Sequence, residues 1–286
     1  MNYPIKKCAF INDFSGYGRC SIAVSLPVLS AMQVQCCALP TAILSNHTGY
    51  KNYFFDSYTD KMQCYIDNWK KLDLSFDTVF SGFLGCSEQI EIVKGFFKDF
   101  KTEKNSIIVD PVMGDNGKIY STYSKEMCQK MRTLLDYADI ITPNITEACL
   151  LLNRDYCGED ISFEEAKKLV KALSDSKRSV VLTGIIQGDF ICTLVYDNLT
   201  KEYHYIKNNR VKSAYPGTGD LFASVLCGCV TNGASLFESA KVAADFVEKT
   251  TAFTAQFDTD HNDGIAFEPF LDELCSLRKG LNNEEK

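Results

Sequence analysis

The sequence predicts an α/β fold in which a mostly parallel sheet is covered by helices on both faces. Short apolar, β-branched runs alternate with longer segments of helical pattern along most of the 286 residues. The sequence contains no internal repeat, no low-complexity segment and no linker rich in Pro, Gly or Ser. These observations predict a single domain over residues 1–286.

Each predicted strand is a short apolar or β-branched run, and each predicted helix is a longer apolar or amphipathic segment. Strands are predicted over residues 8–11, 35–39, 78–81, 107–109, 140–141, 180–182, 190–196 and 202–206. Helices are predicted over residues 21–32, 56–72, 87–101, 125–137, 146–152, 164–176, 221–231, 235–256 and 267–277. The last two strands flank a polar segment and predict an antiparallel hairpin, and the polar residues 282–286 predict a frayed tail.

Composition narrows the class of protein. The chain is 45% hydrophobic and 23% charged, as is ordinary for a globular protein, and its net charge of −7 argues against a nucleic-acid partner. No apolar stretch approaches the roughly 20 residues that cross a bilayer, and Asn12 and Asp13 interrupt the first apolar run too early for a signal peptide. We therefore expect a cytoplasmic protein with no membrane partner. The 13 cysteines form no C-x-x-C pair and are expected to be small buried residues.

Polar residues follow the predicted strands at the ends where parallel α/β sheets bind their ligands. Asn12 and Asp13 follow the first strand, and residues 45–48 lie downstream of the second. The polar residues that follow later strands are Asp110, Thr142, Asn144 and Thr183. Together with residues 217–220, these positions predict one shared cleft.

Residues 217–220 have the sequence Gly-Thr-Gly-Asp and stand directly before an apolar helical run. Glycines let a ligand approach the backbone closely, and the first turn of a helix offers its N–H groups to an anion. A carboxylate beside a bound phosphate is unfavourable unless it takes the proton of an attacking hydroxyl, which is the role predicted for Asp220. The alternative is that Gly217 and Asp220 only start and cap a helix.

Two carboxylates, Asp110 and Asp115, stand five residues apart around a proline and a glycine. Hard oxygen ligands on a turn suit Mg²⁺ that is shared with nucleotide phosphates. The alternative is a turn and nothing more, because Asp, Pro and Gly all favour turns.

The segment 142–147 is open to two interpretations as well. The functional one makes Glu147 a third carboxylate near the metal and Thr142 a hydroxyl on the ligand side. The local one is that Asn144 or Thr146 caps a helix whose first turn contains Glu147.

Several nucleotide-binding signatures are missing. The sequence has no G-x-x-x-x-G-K-[ST] motif, which excludes a P-loop enzyme, and it lacks the catalytic-loop motif of protein kinases. Gly16 and Gly18 are followed by Ser21 where a dinucleotide-binding fingerprint requires Gly or Ala. NAD binding is therefore disfavoured.

The order of three motifs resembles the ribokinase-like superfamily of small-molecule kinases. The motifs are residues 110–115, residues 142–144 with Glu147, and residues 217–220. The resemblance covers roughly residues 8 to 260 and implies a three-layer α/β/α sandwich with a mostly parallel central sheet. Within the superfamily, residues 45–50 and 81–85 resemble the pyridoxal kinase family, whereas residues 12–16 resemble the hydroxymethylpyrimidine kinases.

The resemblance implies the catalytic residues. Asp220 accepts the proton of the substrate's 5′-hydroxymethyl group. The γ-phosphoryl group of ATP is bound by the backbone amides of Gly217, Thr218 and Gly219.

The resemblance also implies the nucleotide, metal and acceptor residues. ATP contacts Asp110, Asp115, Tyr120, Thr142, Asn144, Glu147, Thr183 and Thr218, with residues 115–120 as a mobile lid. Mg²⁺ is surrounded, partly through water, by Asp110, Asp115, Thr142 and Glu147, and K⁺ or Na⁺ lies near Asp110 and Thr142. The polar groups of the acceptor ring contact Asn12, Asp13 and Thr48 beside Asp220. The faces of the ring contact Tyr17, His47 and Phe83.

We therefore expect an ATP-dependent kinase of pyridoxal, pyridoxine or pyridoxamine. The alternatives are a hydroxymethylpyrimidine kinase, an enzyme that serves both substrates, and a non-catalytic sensor of nucleotides or B6 vitamers. Family resemblance further implies a homodimer.

Overall fold

The computed structural model describes residues 5–213 and 215–281, so the predicted frayed tail at 282–286 lies outside the described residues. The described residues pack as two compact units. The first unit draws its residues from Met1–Val79 and Val211–Lys286, and the second from Phe80–Arg210. The single domain over residues 1–286 stays a prediction.

The part of the chain that the structure describes contains eleven strands and nine α-helices. The strands are β1 (Lys6–Ser15), β2 (Val34–Leu44), β3 (Phe55–Ser57), β4 (Thr78–Ser81), β5 (Ser106–Val109), β6 (Gly114–Asp115), β7 (Lys118–Ile119), β8 (Ile140–Ile141), β9 (Ser179–Gln187), β10 (Phe190–Asp197) and β11 (Glu202–Asn209). The helices are α1 (Ser21–Ala31), α2 (Thr59–Lys71), α3 (Ser87–Phe100), α4 (Lys125–Met131), α5 (Ile145–Leu151), α6 (Phe163–Ser174), α7 (Thr218–Asn232), α8 (Leu236–Thr254) and α9 (Leu271–Leu281). Short 3₁₀ segments occur at Arg132–Tyr137, His261–Asp263 and Glu268–Phe270.

In the first unit the strand order is β4-β1-β2-β3, with the last two residues of β4 belonging to the second unit. Strands β1 and β2 are parallel, and residues 8–11 of β1 are completely buried. The register of β1 against β2 shifts between Asn12 and Phe14. Irregularities of this kind re-aim side chains and are common beside active sites, and this one contains Asp13.

In the second unit the strand order is β5-β8-β9-β10-β11. β8 is parallel to both β5 and β9, while β10 is antiparallel to both β9 and β11. Asp197 stands opposite Glu202, which confirms the predicted hairpin of the last two strands. Strands β6 and β7 form a separate antiparallel pair.

Helix starts in both units follow local sequence signals. Helices α6 and α8 each begin with a capping box, formed by Ser162 with Glu165 and by Ser235 with Glu238. Helix α7 begins differently, after Gly217, and its residues from Leu221 to Cys229 are all buried. Burial on every side explains why its sequence is apolar rather than amphipathic.

Several predicted element boundaries are wrong. Residues 55–57 form β3, which pairs with β2, so the helix predicted from residue 56 begins at Thr59. The helix predicted over 125–137 ends at Met131 and continues as a 3₁₀ segment. The helix predicted over 267–277 consists of a 3₁₀ turn followed by α9. The short pair β6–β7 is not predicted at all.

Two further expectations concern the burial of the cysteines and the presence of membrane-spanning helices. All 13 cysteines are unbonded; seven are buried as expected, but Cys64, Cys157 and Cys275 are exposed. Within residues 5–213 and 215–281, none of the helices has both the length and the apolar character that a membrane span requires.

Candidate functional site

The predicted site residues fall into two groups, one in each unit. The Asp220 group belongs to the first unit and comprises Asn12, Asp13, Tyr17, His47, Thr48, Gly217, Thr218, Gly219 and Asp220. The Glu147 group belongs to the second unit and comprises Phe83, Asp110, Asp115, Tyr120, Thr142, Asn144, Glu147 and Thr183. That both groups line one cleft stays a prediction.

Gly217 shapes the start of helix α7. Its φ of 82° is left-handed, and a Cβ placed on it would lie 1.7 Å from the carbonyl oxygen of Arg19. No other residue fits that position. At Gly219, by contrast, a Cβ would meet no atom within 4 Å, and this glycine is exposed. The first-turn amides of Thr218 and Gly219 therefore start a helix with open space beside them, as an anion site requires.

Asp220 lies in the first turn of α7 and is half-buried. Its Oδ1 accepts a hydrogen bond from Asn12 Nδ2 at 3.2 Å, and the nearby backbone N–H of Ser21 lowers its pKa. Burial and the nearby charge of Asp13 raise the pKa of Asp220 to about 6. The group is therefore ionised at neutral pH, yet more basic than an ordinary carboxylate, as suits a general base.

Asp13 is held by two serine hydroxyls. Its Oδ1 accepts from Ser21 Oγ at 2.6 Å, and its Oδ2 accepts from Ser15 Oγ at 3.2 Å. Its side chain is only 7% exposed, and this burial raises its pKa despite the serine hydrogen bonds. With one hydroxyl on each oxygen, Asp13 acts on Asp220 through its charge. Its predicted contact with the acceptor ring stays a prediction.

Tyr17, His47 and Thr48 lie on the loops that follow β1 and β2. Tyr17 and Thr48 are exposed, and His47 is half-buried. Sequence reasoning did not identify Tyr50, whose ring centroid lies 4.8 Å from that of His47. It also did not identify Asp263, whose carboxylate accepts a hydrogen bond from Tyr17.

In the Glu147 group, parallel strands bring Asp110 and Thr142 together. Asp110 directly follows β5 and Thr142 directly follows β8. The Thr142 hydroxyl donates to Asp110 Oδ1 at 2.9 Å, and the Thr142 N–H donates to the carbonyl oxygen of Val109 at 3.2 Å. Neighbouring parallel strands thus bring these two side chains to the same edge of the sheet.

Glu147 and Asn144 form a capping box at the start of helix α5. The Asn144 side chain accepts the N–H of Glu147, and Glu147 Oε2 accepts the N–H of Asn144, both at 2.9 Å. Glu147 Oε1 accepts the N–H of Met113 at 3.1 Å. Burial, and then the charge of Asp110, raise the pKa of Glu147 well above its ordinary value. The local interpretation of this segment is therefore correct, and the charge cluster is present as well.

The predicted lid at residues 115–120 includes all but the first residue of the hairpin β6–β7. Its turn residues Asn116 and Gly117 have φ values of 51° and 73°, which is the backbone of a type I′ turn. Residues at the start of α5 hold this hairpin, since Asn144 Nδ2 donates to the Gly114 carbonyl oxygen and Gly117 N–H donates to Thr146 Oγ1, both at 2.9 Å. Asp115 and Tyr120 are exposed on it. Asn-Gly is a strong hairpin signal that sequence reasoning overlooked.

Two further members complete the Glu147 group. Thr183 lies in β9 beside Asn144, and its N–H donates to the carbonyl oxygen of Pro143 at 3.0 Å. The ring of Phe83 meets that of Tyr123 edge-on, with the centroids 6.0 Å apart. Thr183 thus stands next to the capping box, and its contact with nucleotide phosphates stays a prediction.

The donor atoms of this group fit a hard cation that is shared with phosphate and water. Asp110 and Asp115 both raise the pKa of Glu147, so the three carboxylates repel one another and a cation would relieve that repulsion. Each Glu147 oxygen accepts one backbone N–H group, which fixes the carboxylate and leaves acceptor capacity on both oxygens. Within the described residues, no three acidic, histidine or cysteine side chains are grouped closely enough to hold a metal by themselves. Mg²⁺ is commonly bound in this partial way, with nucleotide phosphates completing its shell.

Comparison with known proteins gives consistent matches. The family model described as phosphomethylpyrimidine kinase matches residues 22–265. Pyridoxal kinase PdxY of Histophilus somni is 30% identical over 247 residues, which is 80% of each chain. The thiamine biosynthetic bifunctional enzyme TH1 of Arabidopsis thaliana is 27% identical over 84% of this chain, and the chain spans only 45% of that relative's length.

Two crystal structures are closely similar. A candidate phosphomethylpyrimidine kinase from Bacteroides thetaiotaomicron, solved in a form with pyridoxal, is 38% identical with a TM-score of 0.91, covering 95% of this chain and 96% of that one. Pyridoxal kinase from Lactobacillus plantarum is 28% identical with a TM-score of 0.88, covering 97% and 99%. These structures confirm the predicted α/β class with its mostly parallel central sheet flanked by helices.

The fold, the glycine-started helix and its carboxylate define a small-molecule kinase. The chain belongs to the family of pyridoxal and phosphomethylpyrimidine kinases within the ribokinase-like superfamily. This is a family of ATP-dependent kinases, so the expected nucleotide partner and small-molecule substrate class follow from membership.

Proposed function

We propose that this protein transfers the γ-phosphoryl group of ATP to the 5′-hydroxymethyl group of pyridoxal, pyridoxine or pyridoxamine. The products are the 5′-phosphate and ADP. The observation that carries the proposal is the environment of Asp220, a carboxylate of raised pKa in the first turn of a helix that only glycine can start. The choice of a B6 vitamer is supported by the Bacteroides relative, which was solved with pyridoxal.

In the proposed reaction Asp220 takes the proton of the acceptor hydroxyl while that oxygen forms a bond to the γ-phosphorus. The bond between this phosphorus and the β,γ-bridging oxygen breaks, and ADP leaves. Asn12 orients the Asp220 carboxylate through its hydrogen bond to Oδ1. The amides of Gly217, Thr218 and Gly219 stabilise the negative charge on the transferred group.

The Glu147 group is proposed to bind the nucleotide and its metal. Asp110, Asp115 and Thr142 would hold Mg²⁺ through oxygen atoms and water, with Glu147 adding charge. Such an ion neutralises phosphate charge during phosphoryl transfer. K⁺ or Na⁺ is proposed near Asp110 and Thr142, whose side chains are joined by a hydrogen bond.

The remaining nucleotide contacts are assigned by family resemblance. Thr183, Thr218 and Asn144 are proposed to contact ATP phosphates, and Tyr120 to contact the nucleotide from the segment 115–120. The hydrogen bonds from Asn144 and Thr146 to the β6–β7 hairpin connect this segment to the start of α5. Closure of the hairpin over ATP would exclude water from the reaction.

The acceptor ring is proposed to contact the polar and aromatic residues that the family resemblance names. Asn12, Asp13 and Thr48 would meet its polar substituents, and Tyr17, His47 and Phe83 its faces. Aromatic side chains suit a flat heterocycle because stacked and edge-on ring contacts are favourable. Family resemblance also supports a homodimer, which sedimentation velocity would test.

A second candidate function is phosphorylation of hydroxymethylpyrimidine. The description of the matching family model favours it, as does the resemblance of residues 12–16. Both acceptors are flat nitrogen heterocycles that carry a hydroxymethyl group, so one site could take either. A difference of about tenfold in kcat/KM corresponds to about 1.4 kcal/mol of transition-state preference.

The deciding experiment is a coupled ADP-release assay over the three B6 vitamers and hydroxymethylpyrimidine, with the phosphorylated product identified by mass. We expect kcat/KM to be at least about tenfold higher for the best vitamer than for the pyrimidine. The reverse ratio would assign the protein to the pyrimidine branch. Vitamer binding in calorimetry without ADP release would instead indicate a sensor.

A further inference from the structure

Three aromatic side chains form a continuous surface in the first unit, which we call the aromatic trio: Tyr17, His47 and Tyr50. The centroid of Tyr50 lies 4.8 Å from that of His47 and 5.8 Å from that of Tyr17. Tyr17 is 57% exposed, so its ring can be reached from solvent. An exposed ring normally rotates freely, and holding it in one orientation costs conformational entropy.

A single carboxylate oxygen anchors both tyrosines. Asp263 Oδ1 accepts the hydroxyl of Tyr17 at 2.9 Å and the hydroxyl of Tyr50 at 3.0 Å. Each ring is thereby held at its far end as well as at its Cα. Hydrogen bonds to a charged acceptor are stronger than those between neutral groups, so both ring orientations are well defined.

His47 is held by the same 3₁₀ segment, His261–Asp263, that carries Asp263. Nδ1 of His47 accepts the N–H of Gly49 at 3.1 Å, which places the ring proton on Nε2. Nε2 then donates to the carbonyl oxygen of Asn262 at 2.7 Å. All three rings of the trio are therefore fixed by two consecutive residues, Asn262 and Asp263.

The turn that carries these residues is itself held in place. Asp260 caps the 3₁₀ segment His261–Asp263, and Arg19 Nη1 donates to the carbonyl oxygen of Asp263 at 3.1 Å. Gly264 has a φ of 74°, and a Cβ there would lie 3.1 Å from the carbonyl oxygen of Pro216. The turn therefore lies against the residue that precedes Gly217, at the start of the catalytic helix.

We infer that Asp263 is a positioning residue that sets the affinity for the acceptor by holding Tyr17 and Tyr50 in the orientation that receives a flat aromatic ring. The inference rests on the proposed function for the class of acceptor, a hydroxymethyl-bearing heterocycle. Without the carboxylate, a bound ring would have to order both tyrosines itself, and that ordering weakens binding. Because the rings are not part of the proposed anion site or base, we expect ATP affinity and proton transfer to Asp220 to be independent of them.

The first test compares Asp263→Ala with Asp263→Asn in the full chain. The asparagine retains a carbonyl oxygen that can accept both hydroxyls, so it is the conservative rescue. Asp258→Ala is the matched control, because Asp258 is an exposed aspartate five residues earlier in the same segment. For each variant, KM and kcat are measured for the acceptor and for ATP, acceptor Kd is measured by calorimetry, and the melting temperature is recorded.

We expect Asp263→Ala to raise acceptor KM and Kd about tenfold, while ATP KM and kcat stay within about twofold of wild type. Asp263→Asn should restore most of the affinity, and Asp258→Ala should match wild type. An unchanged acceptor Kd in Asp263→Ala would overturn the inference. So would parallel losses of acceptor and ATP affinity with a lower melting temperature, which mark a merely structural residue.

A double-mutant cycle isolates the proposed route through tyrosine. Tyr50→Phe removes one hydroxyl from Asp263 and keeps the ring, so it should raise acceptor Kd in the wild-type background. In the Asp263→Ala background the same change should have little further effect. Fully additive effects would contradict coupling between the two residues.

The outcomes separate this inference from the proposed function. Acceptor binding without turnover would refute the proposed kinase activity, while the Kd ratios would still decide the role of Asp263. Failure of wild-type protein to bind any B6 vitamer or hydroxymethylpyrimidine would overturn both.

Discussion

Asp13 raises the pKa of Asp220, although the first lies near the end of β1 and the second at the start of α7. Ser21 lies next to both carboxylates, because its hydroxyl donates to Asp13 Oδ1 at 2.6 Å and its backbone N–H lowers the pKa of Asp220. Ser21 has a left-handed φ of 55°, a conformation that is uncommon outside glycine and often marks functional sites. Asp13 thus raises the pKa of the proposed base, and Ser21 lowers it.

This relationship predicts a shift in the pH dependence of activity. A neighbouring negative charge disfavours ionisation, so Asp13→Asn should lower the pKa of Asp220 from its value of about 6. The acid limb of kcat/KM, measured between pH 4.5 and 8, should move to lower pH by about half a pH unit or more. The asparagine still accepts the Ser21 hydroxyl, so the surrounding fold is retained. A limb that stays in place or moves to higher pH would contradict the charge coupling.

The start of helix α7 predicts a large difference between two glycines. Gly217→Ala puts a Cβ within 1.7 Å of the Arg19 carbonyl oxygen and imposes a left-handed φ on alanine. We expect a loss of at least about 3 kcal/mol in the free energy of unfolding, measured by chemical denaturation. Gly219→Ala is the matched control, because its Cβ meets no atom within 4 Å and alanine favours helix. Equal stability of the two variants would show that the Gly217 backbone is not constrained as described.

The metal assignment predicts a specific change in the Mg²⁺ requirement. Asp115→Asn removes one charge from an exposed position of the β6–β7 hairpin, so the fold should remain intact. The Mg²⁺ concentration that gives half the maximal rate should rise about three- to tenfold, because one carboxylate near the ion is lost. Asp155→Asn, at another exposed aspartate of the same unit, should leave it unchanged. Full activity of Asp115→Asn at unchanged Mg²⁺ would show that the segment 110–115 is only a turn and does not bind the metal.

Elements that are buried over their whole length were predicted most accurately from the sequence. Strands β4 and β8 have the predicted bounds, and the residues of each are all buried. Strand β1 runs further than predicted, through the polar Asn12 and Asp13, because pairing with β2 continues past the apolar residues. Helix α2 begins later than predicted because Phe55–Ser57 pairs with β2, a contact that local pattern cannot reveal.

Some contacts in the candidate site could also be predicted from the sequence, and others could not. The contact of Thr142 with Asp110 was predictable, because neighbouring parallel strands end at the same edge. The bond from Tyr17 to Asp263 joins residues 246 positions apart, and no local signal pairs the 3₁₀ turn that carries Asp263 with Tyr17. Ser21 was predicted only as a helix start, and it donates to Asp13 from a backbone conformation that serine rarely adopts.

The central claim is that Asp220 is the general base, and Asp220→Asn tests it because asparagine has the same size and caps a helix about as well. Burial and Asp13 raise the pKa of Asp220 above its unfolded value, so its ionised form destabilises the folded protein at neutral pH. The variant should therefore be at least as stable as wild type at pH 8. This advantage should disappear as pH falls through about 6 to below 4, where wild-type Asp220 is protonated in both states. Lost activity at pH 8 then cannot be ascribed to unfolding.

The most direct measurement is kcat of Asp220→Asn at pH 8 with a saturating B6 vitamer and ATP, together with ATP affinity by calorimetry. We predict that kcat falls by about 10²- to 10⁴-fold, the usual contribution of general base catalysis, while ATP affinity is kept or slightly increased. The affinity survives because the anion site consists of backbone amides that the substitution leaves in place. A folded variant that binds ATP and turns over at close to the wild-type rate would remove Asp220 from the mechanism.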